Sequence, residues 1–411
     1  MKRFLKTKSM WTPVWMVSAL MIIMAVIYIP IFSKATPNVQ NFPIVIINED
    51  EGGKVDGLKI DMGKLISTNI ASSKDSTAIK WKTASNKEAG LAILEDNKAY
   101  AALIIPKNYT KSMLQLQGQL LQNKKHTKQA ELELIVNKAG GQFASGIAQS
   151  SLQAVATSIS KSVTEQISGS LNSSKSTLSP ENALVLANPI QINEKNISVV
   201  KNDNGMTPFI LALLCMITGM MGSQMVNGYV DSMYTALKTH GMKIKKHAVL
   251  NAEIIFGICM TALMSILLVV CTFAVYNVGH TANLLSILGF LIFGSMTMFM
   301  FFQVFNLYFG RWSLLIAFPI NMMGIFASGG PIPINILPSV HQFFSNILPT
   351  HYLVDGMRSL IYYDGRMASG MSSALITLSI FFVVSVVLCY IISQVKFNKD
   401  NRNQSEVTTA E

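Results

Sequence analysis

The sequence predicts a polytopic α-helical membrane protein with six transmembrane helices and an α/β extracytoplasmic domain inserted between helices 1 and 2. Half of the 411 residues are hydrophobic and the mean hydropathy is +0.39, too apolar for an ordinary soluble chain of this length. Long stretches of the chain also lack charged residues, and lysines and arginines flank these stretches unevenly.

Five stretches without Asp, Glu, Lys or Arg are long enough for membrane helices, which need about 20 apolar residues each. Their charged borders are Lys8 and Lys34, Asp203 and Asp231, Glu253 and Arg311, Arg311 and Asp355, and Arg366 and Lys396. The third stretch holds two helices, because Asn277, His280 and Asn283 interrupt it. The predicted spans are therefore 11–33, 206–230, 249–276, 284–309, 312–330 and 371–395.

Basic residues in the short connections orient these spans. They precede span one and follow spans two, four and six: Lys2, Arg3, Lys6, Lys8, Lys238, Lys243, Lys245, Lys246, Arg311, Lys396, Lys399 and Arg402. The positive-inside rule assigns that side to the cytosol, so 1–10, 231–248 and 396–411 are predicted to be cytosolic and 34–205 extracytoplasmic. The first apolar run continues to Phe32 without a clear cleavage site, which favours an uncleaved anchor over a signal peptide.

Cysteine and charge usage indicate the compartment. All four cysteines, Cys215, Cys259, Cys271 and Cys389, lie in predicted spans, so the exported domain has no disulfide. This favours the plasma membrane of a bacterium, most simply a Gram-positive one. Much of the net charge of +11 belongs to the cytosolic clusters, so we expect membrane lipids rather than nucleic acid as its counterpart.

The exported segment alternates strand and helix patterns. Five β-rich runs predict strands at Phe42–Asn48, Ala78–Thr83, Tyr100–Ile105, Glu131–Asn137 and Pro189–Ile197. The composition of 86–97 predicts a helix, and 142–170 lacks proline and repeats apolar residues every three to five positions, which predicts a long amphipathic helix. The serine-rich run 171–181 is predicted to be a loop.

The stretch before the last span is apolar but broken by turn residues: Gly329, Gly330, Pro331, Pro333, Pro338 and Pro349. Irregular backbone at membrane depth needs protein or a wet cavity around it, so 331–366 is predicted to form re-entrant or outer-interface helices at 339–348 and 352–362. Pro349, Tyr352, Asp355 and Arg358 are candidate outer-gate residues there. Asp355 and Arg358 lie one helical turn apart and can form a structural ion pair, with a gating role as the alternative.

Enzyme signatures are missing from the sequence. The nearest Gly and Lys cluster, 241–246, lacks the second glycine and the hydroxyl residue of a Walker A loop. The six histidines form no HExxH and no Cys/His metal spacing. We therefore predict no catalytic residue, no metal and no cofactor, and any ATP hydrolysis would belong to a partner chain.

Polar residues inside two spans are candidate functional positions. Gln224 and Asn227 in span two, followed by Asp231, and Gln303 and Asn306 in span four recur at helical spacing. They either line a cavity open to the cytosol or form interhelical hydrogen bonds. Glu253 is expected among the lipid head groups.

The connection after span two is a candidate ATPase-coupling element. Met233, Tyr234 and Leu237 share one face of a predicted short helix that Gly241 would end. Such a helix can dock on a soluble partner, or it can rest on anionic lipid through the lysines that follow it.

Three segments together resemble type-2 ABC exporter permeases, and within them the YhgE/Pip (phage infection protein) group. They are IVIINEDEG at 44–52, AYAALIIPKNYT at 99–110 and LPTHYLVDGMRSLIY at 348–362, in that order on the same span layout. The outer domain is shorter than in many members of the group.

The resemblance implies a dimerising permease, paired with a second copy or a paralogue, that binds a separate cytosolic ABC ATPase through the loop after span two. Such a permease moves an amphiphilic substrate (a drug, lipid or peptide) outward, with Tyr234 and Leu237 in the coupling helix. The alternative is a surface scaffold without transport activity, a docking protein for a secretion system or a phage.

Overall fold

The computed structural model describes residues 12–34, 39–55, 57–72, 78–124, 128–174, 176–242 and 246–408. The basic residues Lys2, Arg3, Lys6, Lys8, Lys243 and Lys245 lie outside the described residues. The chain divides into two compact units, an α/β domain at 38–199 and a helical unit formed by 1–37 together with 200–411.

Helix α1 (Thr12–Lys34) precedes the α/β domain. The domain contains strands β1 (Phe42–Asn48), β2 (Gly53–Val55), β3 (Leu58–Ile60), β4 (Ile79–Ala84), β5 (Ala101–Ile105), β6 (Ala130–Asn137) and β7 (Ile190–Ile197). Its helices are α2 (Met62–Ser72), α3 (Lys87–Glu95), α4 (Tyr109–Leu121), α5 (Gln142–Ser173) and α6 (Pro180–Ala187). Each of the five predicted strands is present to within a residue or so of its expected bounds.

The main sheet has the strand order β4-β1-β5-β6-β7, in which only the β5–β6 pair is antiparallel. Strand β1 lies between two parallel neighbours, and all five residues of β5 are buried. Central parallel strands have both faces covered, which explains why these runs are continuously apolar instead of alternating. Helix α3 packs closely on β1, where a Cβ on Gly90 would lie 2.1 Å from the Ile47 side chain.

Three helices and a hairpin of the domain were not predicted. Helices α2 and α4 follow β3 and β5, and β2 pairs with β3 as a short antiparallel hairpin. The predicted loop at 171–181 is shorter, because α5 continues to Ser173 and α6 begins at Pro180. Ser179 caps α6 by accepting a hydrogen bond from the Asn182 amide, a local signal for a helix start.

The helical unit continues with α7 (Thr207–Thr239), α8 (Lys246–Val269, followed by a π-helical turn at Val270–Val275), α9 (Leu284–Phe309), α10 (Ser313–Ala327), α11 (Ser339–Ile347), α12 (Pro349–Tyr362) and α13 (Met371–Thr408). Within the described part of the chain, four helical segments are long and apolar enough to cross a membrane: Thr207–Thr239, Ala248–Val275, Leu284–Phe309 and Met371–Val395. Two further apolar helices, Ser18–Pro30 and Ser313–Ala327, are shorter. The unit is that of a polytopic membrane protein.

Two predicted boundaries differ from the structure. The loop expected from residue 231 begins only after Thr239, because nothing between Gly228 and Gly241 breaks the helix, and Gly241 then takes φ +77°. Span five was expected to continue to 330, but α10 ends at Ala327, before Gly329 with φ +73°. Helix α13 itself continues to Thr408, and its segment that is long and apolar enough to cross a membrane is Met371–Val395.

Candidate functional site

A connected group of polar side chains joins four helices inside the helical unit. We call it the polar cluster; its members are Gln224 and Asn227 on α7, Glu253 on α8, Gln303 and Asn306 on α9, and Ser313 at the start of α10. Glu253, Gln303, Asn306 and Ser313 are at most 3% exposed, and the other two are partly buried. Polar groups buried this deeply require hydrogen-bond partners.

Each member has such a partner within the cluster. The Glu253 carboxyl accepts from Gln303 Nε2 at 2.7 Å and from Asn227 Nδ2 at 3.2 Å. Asn306 Nδ2 donates to Gln303 Oε1 at 3.4 Å. Gln224 Nε2 donates both to Asn306 Oδ1 and to the Ser313 hydroxyl. The result is one continuous chain of hydrogen bonds that runs from α10 through α7 and α9 to α8.

Small residues let these helices approach each other. A Cβ on Gly219 would lie 2.6 Å from Met298 Cβ and 2.7 Å from the Met298 carbonyl carbon, so α7 and α9 nearly touch through their backbones. A Cβ on Gly257 of α8 would lie 2.3 Å from the Phe299 ring. Close approach of this kind is the membrane mode of helix packing and brings short amides within hydrogen-bonding distance.

The structure thus brings together the four polar residues predicted in spans two and four. Glu253 is a correction: it is 1% exposed and accepts two hydrogen bonds, whereas the sequence suggested a place among the head groups. Because Glu253 borders an apolar stretch of the sequence, its burial could not be predicted from its neighbours. Both donors to Glu253 are uncharged amides, so the cluster is a hydrogen-bonded link between helices that contains one ionisable group.

The candidate coupling residues lie at the far end of α7. Met233, Tyr234 and Leu237 belong to its last turns, and the separate short helix expected from the sequence is absent because α7 continues through them. Met233 is 63% exposed, and Tyr234 and Leu237 are half-buried.

The candidate outer-gate residues lie on α12, which begins at Pro349. Arg358 donates to Asp355 at 2.6 Å, in the pairing that their spacing predicts, and to the Gly329 carbonyl oxygen at 3.1 Å. His351, which sequence reasoning missed, lies 3.4 Å from the same carboxylate and 3.1 Å from the Ser328 carbonyl oxygen. Tyr352 donates to the Asn346 carbonyl oxygen at 3.2 Å. Two side chains thus fasten α12 to the segment after α10.

Three segments that were assigned to one side of the membrane contact one another. The Gly279 amide donates to the Lys201 carbonyl oxygen at 2.7 Å, and the Thr281 amide donates to the Ile361 carbonyl oxygen at 3.0 Å. Tyr362 also donates to the Asp203 carboxylate. The N-terminal ends of α7 and α9 and the C-terminal ends of α8 and α12 therefore meet at one end of the helical unit.

The fold and the polar cluster define a polytopic helical membrane protein with an α/β domain between its first two apolar helices. The model of the ABC-2 family transporter proteins matches residues 8–391, nearly the whole chain. The chain belongs to this family of cell-membrane transporter components, in which the ATPase is a separate subunit.

Two further likenesses cover smaller parts. The chain is 24% identical over 169 residues to the uncharacterized protein YhgE of Bacillus subtilis, a match that covers 39% of this chain and 21% of that relative. This chain therefore matches about a fifth of the length of the curated relative. A crystal structure described as a domain of an ABC type-2 transporter from Thermotoga maritima matches 38% of this chain and 84% of its own, with 19% identity and a TM-score of 0.25.

Proposed function

We propose that this chain is the permease subunit of an ABC-type exporter that moves an amphiphilic substrate, such as a drug, lipid or peptide, outward. A separate cytosolic ATP-binding-cassette ATPase powers it. The proposal rests on the family to which the chain belongs and on one structural observation. Helix α7 runs without a break from the polar cluster to the exposed side chains near Thr239.

Helix α7 is long enough to transmit movement from outside the bilayer to the polar cluster. Its 33 residues extend about 50 Å, whereas the hydrocarbon core is about 30 Å thick, so the helix is long enough to project several turns beyond the bilayer. We assign that projecting end, with Met233, Tyr234 and Leu237, to the ATPase contact. A stiff helix that is pushed there transmits the movement to Gln224 and Asn227, two to three turns away.

The polar cluster would sense this movement. Gln224 bonds both α9 and α10, so a rotation of α7 exchanges these hydrogen bonds for others. Interhelical hydrogen bonds in membranes contribute about 0.6 kcal/mol each, a small barrier for a step driven by ATP. In the proposed cycle the cluster is a switchable link between the cytosolic motor and the helices along the pathway.

The proposed topology has six spans, with both termini in the cytosol and the α/β domain outside, in a bacterial plasma membrane of Gram-positive type. A second copy or a paralogue completes the pathway, since six helices alone leave little room for one. Helix α12, with Pro349, Tyr352, Asp355 and Arg358, is the proposed outer gate, and membrane lipids surround the whole.

Photocrosslinking in native membranes tests the coupling assignment. A photoreactive amino acid replaces Met233 in one variant and Met221 in a matched control, since both side chains are more than half exposed and lie on the same helix. We expect Met233 to capture a nucleotide-binding subunit, identified by mass spectrometry, and Met221 to capture lipid. Capture of lipid or self-contacts at both positions would contradict the exporter and favour the scaffold alternative.

A further inference from the structure

The α/β domain contains an open pocket of about 480 Å³ that the proposed transport function does not use. Helix α2, strand β4, the start of α4 and the middle of α5 form its walls. Nine of its lining side chains are apolar, among them Ile66, Trp81 and Ile159, and five are polar but uncharged. Pockets of this size hold drug-sized molecules, and one without charged walls selects against ions.

An acidic side chain outside the pocket holds two of its walls together. The Asp50 carboxylate accepts from the Gly63 amide of α2 at 3.1 Å and from the Thr110 amide of α4 at 3.0 Å, and it also accepts from the Thr110 hydroxyl. The Met62 amide in turn donates to that hydroxyl at 2.8 Å. A carboxylate at two helix N-termini is favourable because each end carries partial positive charge.

The sequence segments joined in this way are two of those that carry the family resemblance. Asp50 belongs to IVIINEDEG, and Thr110 ends AYAALIIPKNYT. Gly63 permits the contact, because a Cβ there would lie 2.4 Å from Asn48 Oδ1 and 2.5 Å from Asp50 Cβ. The joint fixes Met62 and Tyr109, which both line the pocket.

Tyr109 supplies a hydroxyl group that is available for a hydrogen bond to a ligand. The residue is 1% exposed, and its hydroxyl has no hydrogen-bond partner among the described residues. Burial, and then the charge of Asp50, raise the pKa of Tyr109, so the hydroxyl stays protonated and can donate. Leaving such a donor unpaired is unfavourable, and a bound acceptor would recover that free energy.

We propose that this pocket binds an uncharged single-chain amphiphile, whose apolar chain lies along α2 and α5 and whose hydroxyl or carbonyl oxygen pairs with Tyr109. Leu65 lines the pocket and is 62% exposed, as expected of a residue at an open entrance. The pocket would serve a scaffold as well as a permease, so its ligand is independent of transport.

The first test uses three photoreactive probes with the same diazirine-bearing chain, ending in an alcohol, a carboxylate or an amine. The full chain in phosphatidylglycerol nanodiscs is labelled with each, and mass spectrometry identifies the modified peptides. We expect the dodecanol probe to label 62–70 and 155–166, and unlabelled dodecanol to compete with it. Equal labelling by all three head groups, no labelling of these peptides, or crosslinks from them to a second protein chain would overturn the proposal.

The second test separates the hydroxyl from the cavity. Tyr109→Phe should raise the half-saturating concentration of the alcohol probe about fivefold and leave that of the corresponding alkane unchanged. Ser158→Trp places a ring in the pocket and should abolish labelling by both. Thr157→Trp, one residue earlier on α5 and outside the lining, is the control for folding. An unchanged alcohol affinity in Tyr109→Phe would overturn the role of the hydroxyl.

Discussion

The two units of this protein use hydrogen-bonded carboxyl groups in different ways. In the α/β domain, Asp50 accepts from backbone amides and so fixes where two helices begin. In the helical unit, Glu253 accepts from side-chain amides of two other helices. One carboxyl binds backbone amides at the starts of two helices, and the other binds side chains within two helices.

This difference follows from what surrounds each unit. Water competes for the partners of a surface carboxylate but also solvates it when a partner is lost. Lipid offers no such replacement, so a polar group between membrane helices must find its partner in the protein. Side-chain amides suit that role because they can donate and accept at once, and they can exchange partners when a helix moves.

The largest effect should follow from Gln303→Leu. This change removes the 2.7 Å donor to Glu253 and leaves a carboxyl oxygen unpaired inside the helical unit, at a cost of about 2–3 kcal/mol. Unfolding in mixed micelles with rising dodecyl sulfate would measure it. Gln224→Leu, which removes bonds between uncharged groups, should cost clearly less. Equal losses of unfolding free energy in the two variants would show that the hydrogen bond to the Glu253 carboxyl contributes no more than a bond between uncharged groups.

Asp50→Ala should destabilise the α/β domain by about 2 kcal/mol, because two helices lose their N-terminal acceptor. Urea unfolding followed by Trp81 fluorescence, with Trp11, Trp15 and Trp312 replaced by Phe, would report this unit alone. Glu51→Ala is the matched control, since that side chain is 63% exposed and its Lys111 partner lies 3.6 Å away. A loss as large in Glu51→Ala would remove the distinction between the two acids.

Helices and strands whose ends are marked by capping, glycine or turn residues could be predicted from the sequence. Helix α9 begins after Asn283, which caps it, and ends before Gly310, as its predicted bounds state. Strand β1 matches its predicted bounds because its apolar run stops at a turn sequence. Local residues specify these ends, so no tertiary contact is needed to find them.

Elements fixed by distant partners could not be predicted. Helices α2 and α4 begin where Asp50 accepts their amides, and Gly63 and Thr110 lie 13 and 60 residues from it along the chain. The burial of Glu253 depends likewise on α7 and α9, whereas its neighbours in sequence resemble a membrane boundary. Spacing identified the amides of the polar cluster but not the acid that they surround.

Gly219→Ala should cost about 1–3 kcal/mol, because the new methyl group meets the Met298 backbone, which cannot move aside as a flexible side chain can. Gly228→Ala on the same helix meets nothing within 4 Å and should be neutral or stabilising by up to about 1 kcal/mol. The same micelle titration compares the two. A neutral Gly219→Ala would show that α7 and α9 are free to separate, and the link through Gln224 would then lose its geometric basis.

The smallest effect belongs to Glu133, a partly buried acid on β6 of the α/β domain. Burial raises its pKa, but hydrogen bonds and charges from Lys87 and Lys195 outweigh this and hold the pKa below its ordinary 4.5. A carboxyl with a depressed folded pKa stabilises above its unfolded pKa, and that contribution disappears as the pH falls through the folded value. Because both lysines are exposed, we expect under about 1 kcal/mol.

Urea unfolding of the α/β domain between pH 7 and pH 3 would measure that contribution. Glu133→Gln should lower the free energy of unfolding near neutral pH, and its difference from the unmodified chain should vanish toward pH 3. Glu131→Gln, at an exposed site on the same strand, is the matched control for the substitution itself. A pH-independent difference for Glu133→Gln would mean that packing, and not charge, makes this glutamate stabilising. The contrast between acids that bind backbone amides and acids that bind side-chain amides would then rest on Asp50 and Glu253 alone.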